Sequence, residues 1–290
     1  MRILIAIYAW LLATLPEGFA RLNAWGLGWV LWALRRRIIL RNLAASFPER
    51  DAAWIRRIGR LSCRRTAEMG LYALASPRLS EAEVRDRIRI HPSLVSGPSG
   101  LPSTGGLVLF VPHFSLMEMM TAIPHLVPAF AAREWVVLYR PLDVAAAERW
   151  VKASRERFGM RLVSRKEGFG KTMAAVRAGQ IAVVLFDQST HLGSRIDFLG
   201  RPAAVTDLPG IIAQRFQAPA RVFWAERTGF WRCQLRADAL DATDSVGLTL
   251  ESNAWLEARL RSGDEACADW LWAHDRWKHG RMPGIKPLQP

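Results

Sequence analysis

The chain has no run of about 20 apolar residues, the length a helix needs to cross a bilayer. Its two longest runs, residues 3–15 and 24–34, stop at thirteen and eleven residues. Cysteine is scarce. Cys63, Cys233 and Cys267 lie far apart and without metal-ligand spacing, which excludes a disulfide framework or a zinc site and points to a reducing compartment. No Gly-x-Ser-x-Gly elbow and no His-Glu-x-x-His helix is present, so a covalent serine hydrolase or a zincin would lack its central residues. Gly168-Phe169-Gly170-Lys171-Thr172 lacks the first glycine of a phosphate-binding loop, because Arg165 stands there, and ATP binding is excluded. No internal repeat is apparent. Acidic residues are outnumbered, 26 against 40 Lys and Arg, and the formal charge of +14 implies acidic partners: nucleic acid, anionic lipid or an acidic carrier protein. No base-reading motif accompanies the arginines, which leaves nucleic acid without support.

Among the residues present, thirteen tryptophans stand out. Trp25, Trp29 and Trp32 fall on one face of a helix, and tryptophan favours the water-lipid interface. From Arg35 to Thr66, ten arginines face only Glu49 and Asp51. An apolar stretch followed by dense arginine suits an anchor against an anionic cytoplasmic leaflet. A buried hairpin whose arginines form its solvated face has the same pattern. A secretory signal fits less well, since no small-x-small cleavage site follows. Residues 1–85 are therefore expected to form a helical membrane-anchoring region, and residues 86–290 a second domain.

Ser80-Glu81-Ala82-Glu83 predicts a capped helix start, and the stretch from Ser93 to Gly106, rich in Gly, Pro and Ser, predicts a connection. Strand and helix signals then alternate. Strands are expected at Leu107 to Val111, Trp135 to Tyr139, Arg161 to Ser164, Ile181 to Phe186, Arg221 to Glu226 and Phe230 to Arg236. Helices are expected at Leu116 to Thr121, Asp143 to Phe158 (capped by Asp143), Gly168 to Ala178 and Leu208 to Gln217. This order predicts an α/β fold: a largely parallel or mixed central sheet flanked by helices, with a β-ribbon near its end.

The segment His113-Phe114-Ser115-Leu116-Met117-Glu118 places an imidazole and a carboxylate where a buried strand meets a helix start. A neutral imidazole takes a proton near neutral pH, and a carboxylate on its other nitrogen fixes the tautomer. Within one helix, five residues turn by about 500°, so the pair can meet only if His113 precedes the helix. Ser115 and Glu118 also fit a capping box, which would make the carboxylate structural. With no protein nucleophile in evidence, a base alone suits a substrate that already carries an activated acyl group.

Several motifs, in order along residues 30 to 280, resemble the late acyltransferases of lipid A biosynthesis, the lauroyl and myristoyl transferases. They are Arg41 to Glu49 (RNLAASFPE), His113 to Glu118, Tyr139-Arg140-Pro141, Arg165-Lys166-Glu167, Asp187-Gln188, Phe198 to Pro202 (FLGRP) and Trp272 to Lys278 (WAHDRWK). The resemblance implies a membrane-bound enzyme moving a fatty acyl chain to a hydroxyl of a phosphorylated glycolipid. The co-substrate would be a thioester of acyl carrier protein or coenzyme A, with no cofactor and no metal. It implies His113 as general base, Glu118 as the residue that orients it, and Arg140, Arg165, Lys166 and Asp187 as substrate-binding residues. Where many members carry a second acid this chain has Ser189, followed by Thr190-His191-Leu192-Gly193, which leaves the acceptor open. A glycerophosphate or lysophosphatidate acyltransferase uses the same base pair, but would carry an asparagine before the histidine and an aspartate at the acidic position, where Pro112 and Glu118 stand. A membrane-surface binding protein that has lost its chemistry is the remaining alternative. His274, among Trp272, Arg276 and Lys278, reads as packing.

Overall fold

The structure, a computed structural model, describes residues 2–280, 282 and 284–288, the side chains at positions 2 and 165–167 excepted. Three helices come first: α1 (Arg2–Thr14), α2 (Glu17–Ser46) and α3 (Ala52–Ala75). There follow α4 (Glu81–Arg87), β1 (Ile88–Ile90), α5 (Pro92–Val95), β2 (Leu107–Val111), α6 (Ile123–Leu126), α7 (Pro128–Ala131), β3 (Trp135–Tyr139), α8 (Ala145–Glu156), β4 (Met160–Ser164), α9 (Arg165–Arg177) and β5 (Ile181–Leu185). The rest comprises β6 (Ser194–Phe198), β7 (Arg201–Val205), α10 (Leu208–Phe216), β8 (Ala220–Gly229), β9 (Arg232–Ala239), α11 (Ser245–Arg261) and α12 (Asp264–Asp269).

Seven strands form the central sheet in the order β1-β9-β8-β2-β5-β3-β4, and β6 and β7 form a separate antiparallel pair. Within the seven, only the β8–β9 pairing is antiparallel. The β2 sequence is apolar at every position because helices cover both faces of the sheet. Leu107, Leu109 and Val111 join the core under α1 and α3, while Val108 and Phe110 join the one under α10 and α11. That alternation is the two-residue period of a strand made visible by two cores.

The connection from β2 leads to β3 on one side of the sheet, and the connection from β5 leads, through β6, β7 and α10, to β8 on the other. The carboxyl ends of β2 and β5 therefore flank a topological switch point, where sheets of this kind open a crevice.

The predicted strands all occur, with ends shifted by a few residues. Three were not predicted. β1 has three residues, too short for a periodicity signal, and β6–β7 alternates weakly and contains Pro202. The turn joining β6 to β7 is Leu199-Gly200, both at positive φ (50° and 71°), as a two-residue hairpin loop requires. The expected Asp143 cap is absent: α8 begins two residues later, behind Val144, with no side-chain cap. Ser80 and Glu83 do form a full capping box at α4.

α2 and α3 pack as an antiparallel hairpin across residues 47–51, with Asp51 capping α3 through a 2.7 Å bond from the Trp54 N–H. A side chain at Gly28 would lie 2.7 Å from the Arg64 Cα, so glycine is what lets the two backbones approach. The arginine block divides by function. Arg65 is buried and donates to the Glu265 carbonyl and to Asp269, Arg35 donates to the Ala273 carbonyl, and Arg41 pairs with Asp275 at 2.7 Å. These arginines clamp the hairpin to the C-terminal segment, whereas Arg36, Arg37, Arg56, Arg60 and Arg64 stay exposed. No helix among the described residues is long and apolar enough to cross a membrane.

Candidate active site

The parallel register of β2 and β5 builds the centre of the site. Leu107 faces Ile181 and Val111 faces Leu185, a constant offset of 74 residues. Carried two residues past the strand ends, the same offset sets His113 beside Asp187. The imidazole Nδ1 lies 2.5 Å from Asp187 Oδ1, and the His113 backbone N–H donates to Oδ2 at 2.8 Å. The Trp270 indole N–H donates to the same Oδ2 at 2.6 Å. Burial alone would raise the Asp187 pKa, but the charge of His113 and these donors outweigh it and hold the carboxyl at about 2. An ionised carboxylate only accepts, so the His113 Nδ1 carries a proton, and in the neutral ring Nε2 is the nitrogen with the lone pair. Nε2 is 2.9 Å from the Gln188 amide nitrogen.

Glu118 does not fill the role expected for it. It is buried and receives both Nε (2.9 Å) and Nη2 (2.5 Å) of Arg155 from α8, a bidentate pair. Burial lowers the Arg155 pKa by itself, but the Glu118 carboxylate more than reverses this. The alternative capping box also fails. The turn that follows is a 3-10 helix starting at Met117, and Ser115 donates instead to Asp269 at 2.8 Å. The five-residue spacing thus yields two anchored residues with different partners. Asp187 is likewise corrected, from a substrate contact to a buried partner of His113: its burial keeps it from any ligand.

A cavity of about 500 Å³ opens beside His113, within the range of small-molecule sites. Val137, Met160, Val183, Leu185 and Phe223 give it an apolar wall, while Glu118, Arg155, Gln188 and His274 contribute polar groups. Arg140 stands at its mouth, largely exposed and 3.8 Å from Asp143. The side chains of Arg165 and Lys166 lie outside the described residues, and their backbone opens α9. Among the described residues no cluster of His, Cys, Asp and Glu is arranged to hold a metal.

The C-terminal segment closes the site from behind. Fully buried Arg276 donates to the Gln188 carbonyl (2.8 Å) and to Asn253 Oδ1 (2.8 Å), and burial lowers its pKa to about 10, which keeps it charged. The Ser189 N–H donates to His274 Nε2 at 2.9 Å, so His274 is a packing residue that also borders the cavity. Burial lowers the His274 pKa to about 4. The native ring is therefore neutral where the unfolded chain, titrating near 6.5, is protonated. In that interval the unfolded state binds more protons, so the contribution of His274 is complete above pH 6.5 and drains away toward pH 4, by roughly 3 kcal/mol in all. Urea midpoints measured from pH 7 to 4 are expected to fall less steeply for His274→Gln, and equal slopes in the two proteins would remove this assignment.

Gln188, Trp270 and Arg155 were not singled out as site residues from the sequence. Their contacts join residues 37 to 83 positions apart; Gln188 falls in the Asp187-Gln188 motif with no role given to it, and no local pattern marks Trp270 or Arg155. Residues 1–279 match the model of a family described as bacterial lipid A biosynthesis acyltransferases. No curated protein sequence matches the chain.

Proposed function

Since the chain belongs to the bacterial lipid A biosynthesis acyltransferases, we propose that it carries a fatty acyl group from a thioester of acyl carrier protein or coenzyme A to a hydroxyl of a lipid A-type glycolipid. The observation that carries the mechanism is His113, backed by ionised Asp187 and facing an apolar-walled cavity. Neutral Nε2 takes the proton of the acceptor hydroxyl as its oxygen attacks the thioester carbonyl, and Asp187 stabilises the imidazolium. Arg140, at the cavity mouth, is suited to the developing oxyanion or to a phosphate of the glycolipid. When the C–S bond breaks, the imidazolium returns its proton to the thiolate. The acyl chain lies along the apolar wall. Arg165 and Lys166 are assigned to phosphate contacts by the family resemblance alone.

Membrane association on the cytoplasmic face of the inner membrane belongs to the same reading. Ile3, Ile7 and Trp10 of α1 and Leu22, Trp25 and Trp29 of α2 are exposed at helical spacing, with the exposed arginines of the hairpin nearby in sequence. Such a surface lies on a bilayer without spanning it. Co-sedimentation with phosphatidylglycerol vesicles, weakened by salt and by Trp25→Ser with Trp29→Ser, is the expected result; equal recovery without vesicles would discard it. The transfer itself is tested by mass spectrometry of total lipids from cells with and without the gene. A glycolipid lighter by one acyl chain in its absence is expected, and an unchanged lipid profile counts against this reading.

A further inference from the structure

Gln188 has no part in the transfer outlined above, yet its amide nitrogen is 2.9 Å from the one atom that must take the acceptor's proton. With Nδ1 bound to Asp187, the Nε2 lone pair accepts an N–H of this amide. The amide therefore lies on the line along which an acceptor hydroxyl must donate. An amide N–H does not give up its proton near neutral pH, so it fills the position without reacting.

The backbone beneath it is held. Arg276 binds the Gln188 carbonyl at 2.8 Å, and the next N–H, of Ser189, is held by His274 at 2.9 Å. Release of Nε2 is left to rotation of the side chain, which borders the cavity. A base beside a thioester also has an unwanted partner in water. Water would give a proton to Nε2 and its oxygen to the carbonyl carbon; the C–S bond would break and the thiolate would recover the proton, yielding free fatty acid and thiol.

We propose that Gln188 is a positioning residue that occupies the acceptor's place on His113 and excludes water until an acceptor hydroxyl displaces it, so that the bound thioester is held back from hydrolysis. This rests on the assignment of His113 as the base. The barrier to displacement is one neutral hydrogen bond, worth roughly 5- to 10-fold in rate.

The test uses the purified full chain with palmitoyl-coenzyme A and no acceptor, following thiol release. Gln188→Ala and Gln188→Met, the second retaining the side-chain length without the donor, are expected to raise hydrolysis by about 5- to 10-fold. The rise should vanish when His113→Ala is added. Diethyl pyrocarbonate needs no donor substrate, and peptide mass spectrometry should find faster carbethoxylation of His113 in both variants. Hydrolysis that stays level or falls in both, with or without a change in carbethoxylation, overturns the proposal. Failure of the underlying reading is distinct: His113→Ala in the otherwise unaltered chain would then leave acyl transfer intact.

Discussion

Replacing His113 by alanine is expected to lower acyl transfer by ~10² to 10⁴-fold, the usual worth of a positioned base. The fold should survive. Asp187 keeps its bonds from the residue-113 backbone N–H and the Trp270 indole, so the buried carboxylate is not stranded. Loss of one hydrogen bond to a charged group implies a stability decrease of about 1.5 to 3 kcal/mol, read as a lower melting midpoint. Added imidazole, which fits the vacated space beside the cavity, is expected to restore part of the turnover. A variant that transfers acyl groups at near-normal rate would end the base mechanism.

The second large effect separates the two carboxylates. Asp187→Asn places an amide where three donors converge, the His113 backbone N–H, its Nδ1–H and the Trp270 N–H. An amide can accept from some of them through its oxygen, but its NH₂ then faces another donor. The ring is driven toward the opposite tautomer, with the proton on Nε2 where the base must be free. A fall of ~10² to 10⁴ in turnover is expected, on the scale of the same exchange in a Ser-His-Asp enzyme. Glu118→Gln touches the bond to Arg155 instead. It should cost about 1 to 3 kcal/mol of stability, because the amide oxygen keeps one of the two bonds from Arg155 while its NH₂ faces the other donor, and less than about tenfold in rate, because Glu118 is bonded to Arg155 and not to His113. Measured side by side, initial rates should separate the two variants by at least about tenfold, with Glu118→Gln the more active. Equal catalytic losses, with Glu118→Gln fully folded, would return Glu118 to the base and refute the present pairing.

Why the sequence pointed to the wrong acid is a matter of distance along the chain. Glu118 was the nearest carboxylate to His113, and a five-residue spacing permits contact if the histidine precedes a helix. Nothing local distinguishes that from the arrangement found, in which α8 delivers Arg155 to Glu118 from 37 residues away. The outcome is set by desolvation. A buried carboxylate must be paired, and the guanidinium fork satisfies Glu118 on both oxygens while Asp187 takes the imidazole.

The sequence alone determined the α/β alternation, because apolar runs of five residues bounded by turns have few other solutions, and it determined that His113 follows the central strand. It also carried the family, through many weak motifs in one order. Only the tertiary structure decided which acid pairs with His113, which arginines serve as clamps and which face solvent, and that the Gln188 amide lies against the His113 Nε2. Those choices depend on strand register and on what each element packs against. Hydrogen bonds between residues some 74 positions apart exist only after the sheet has closed and water has left the interior.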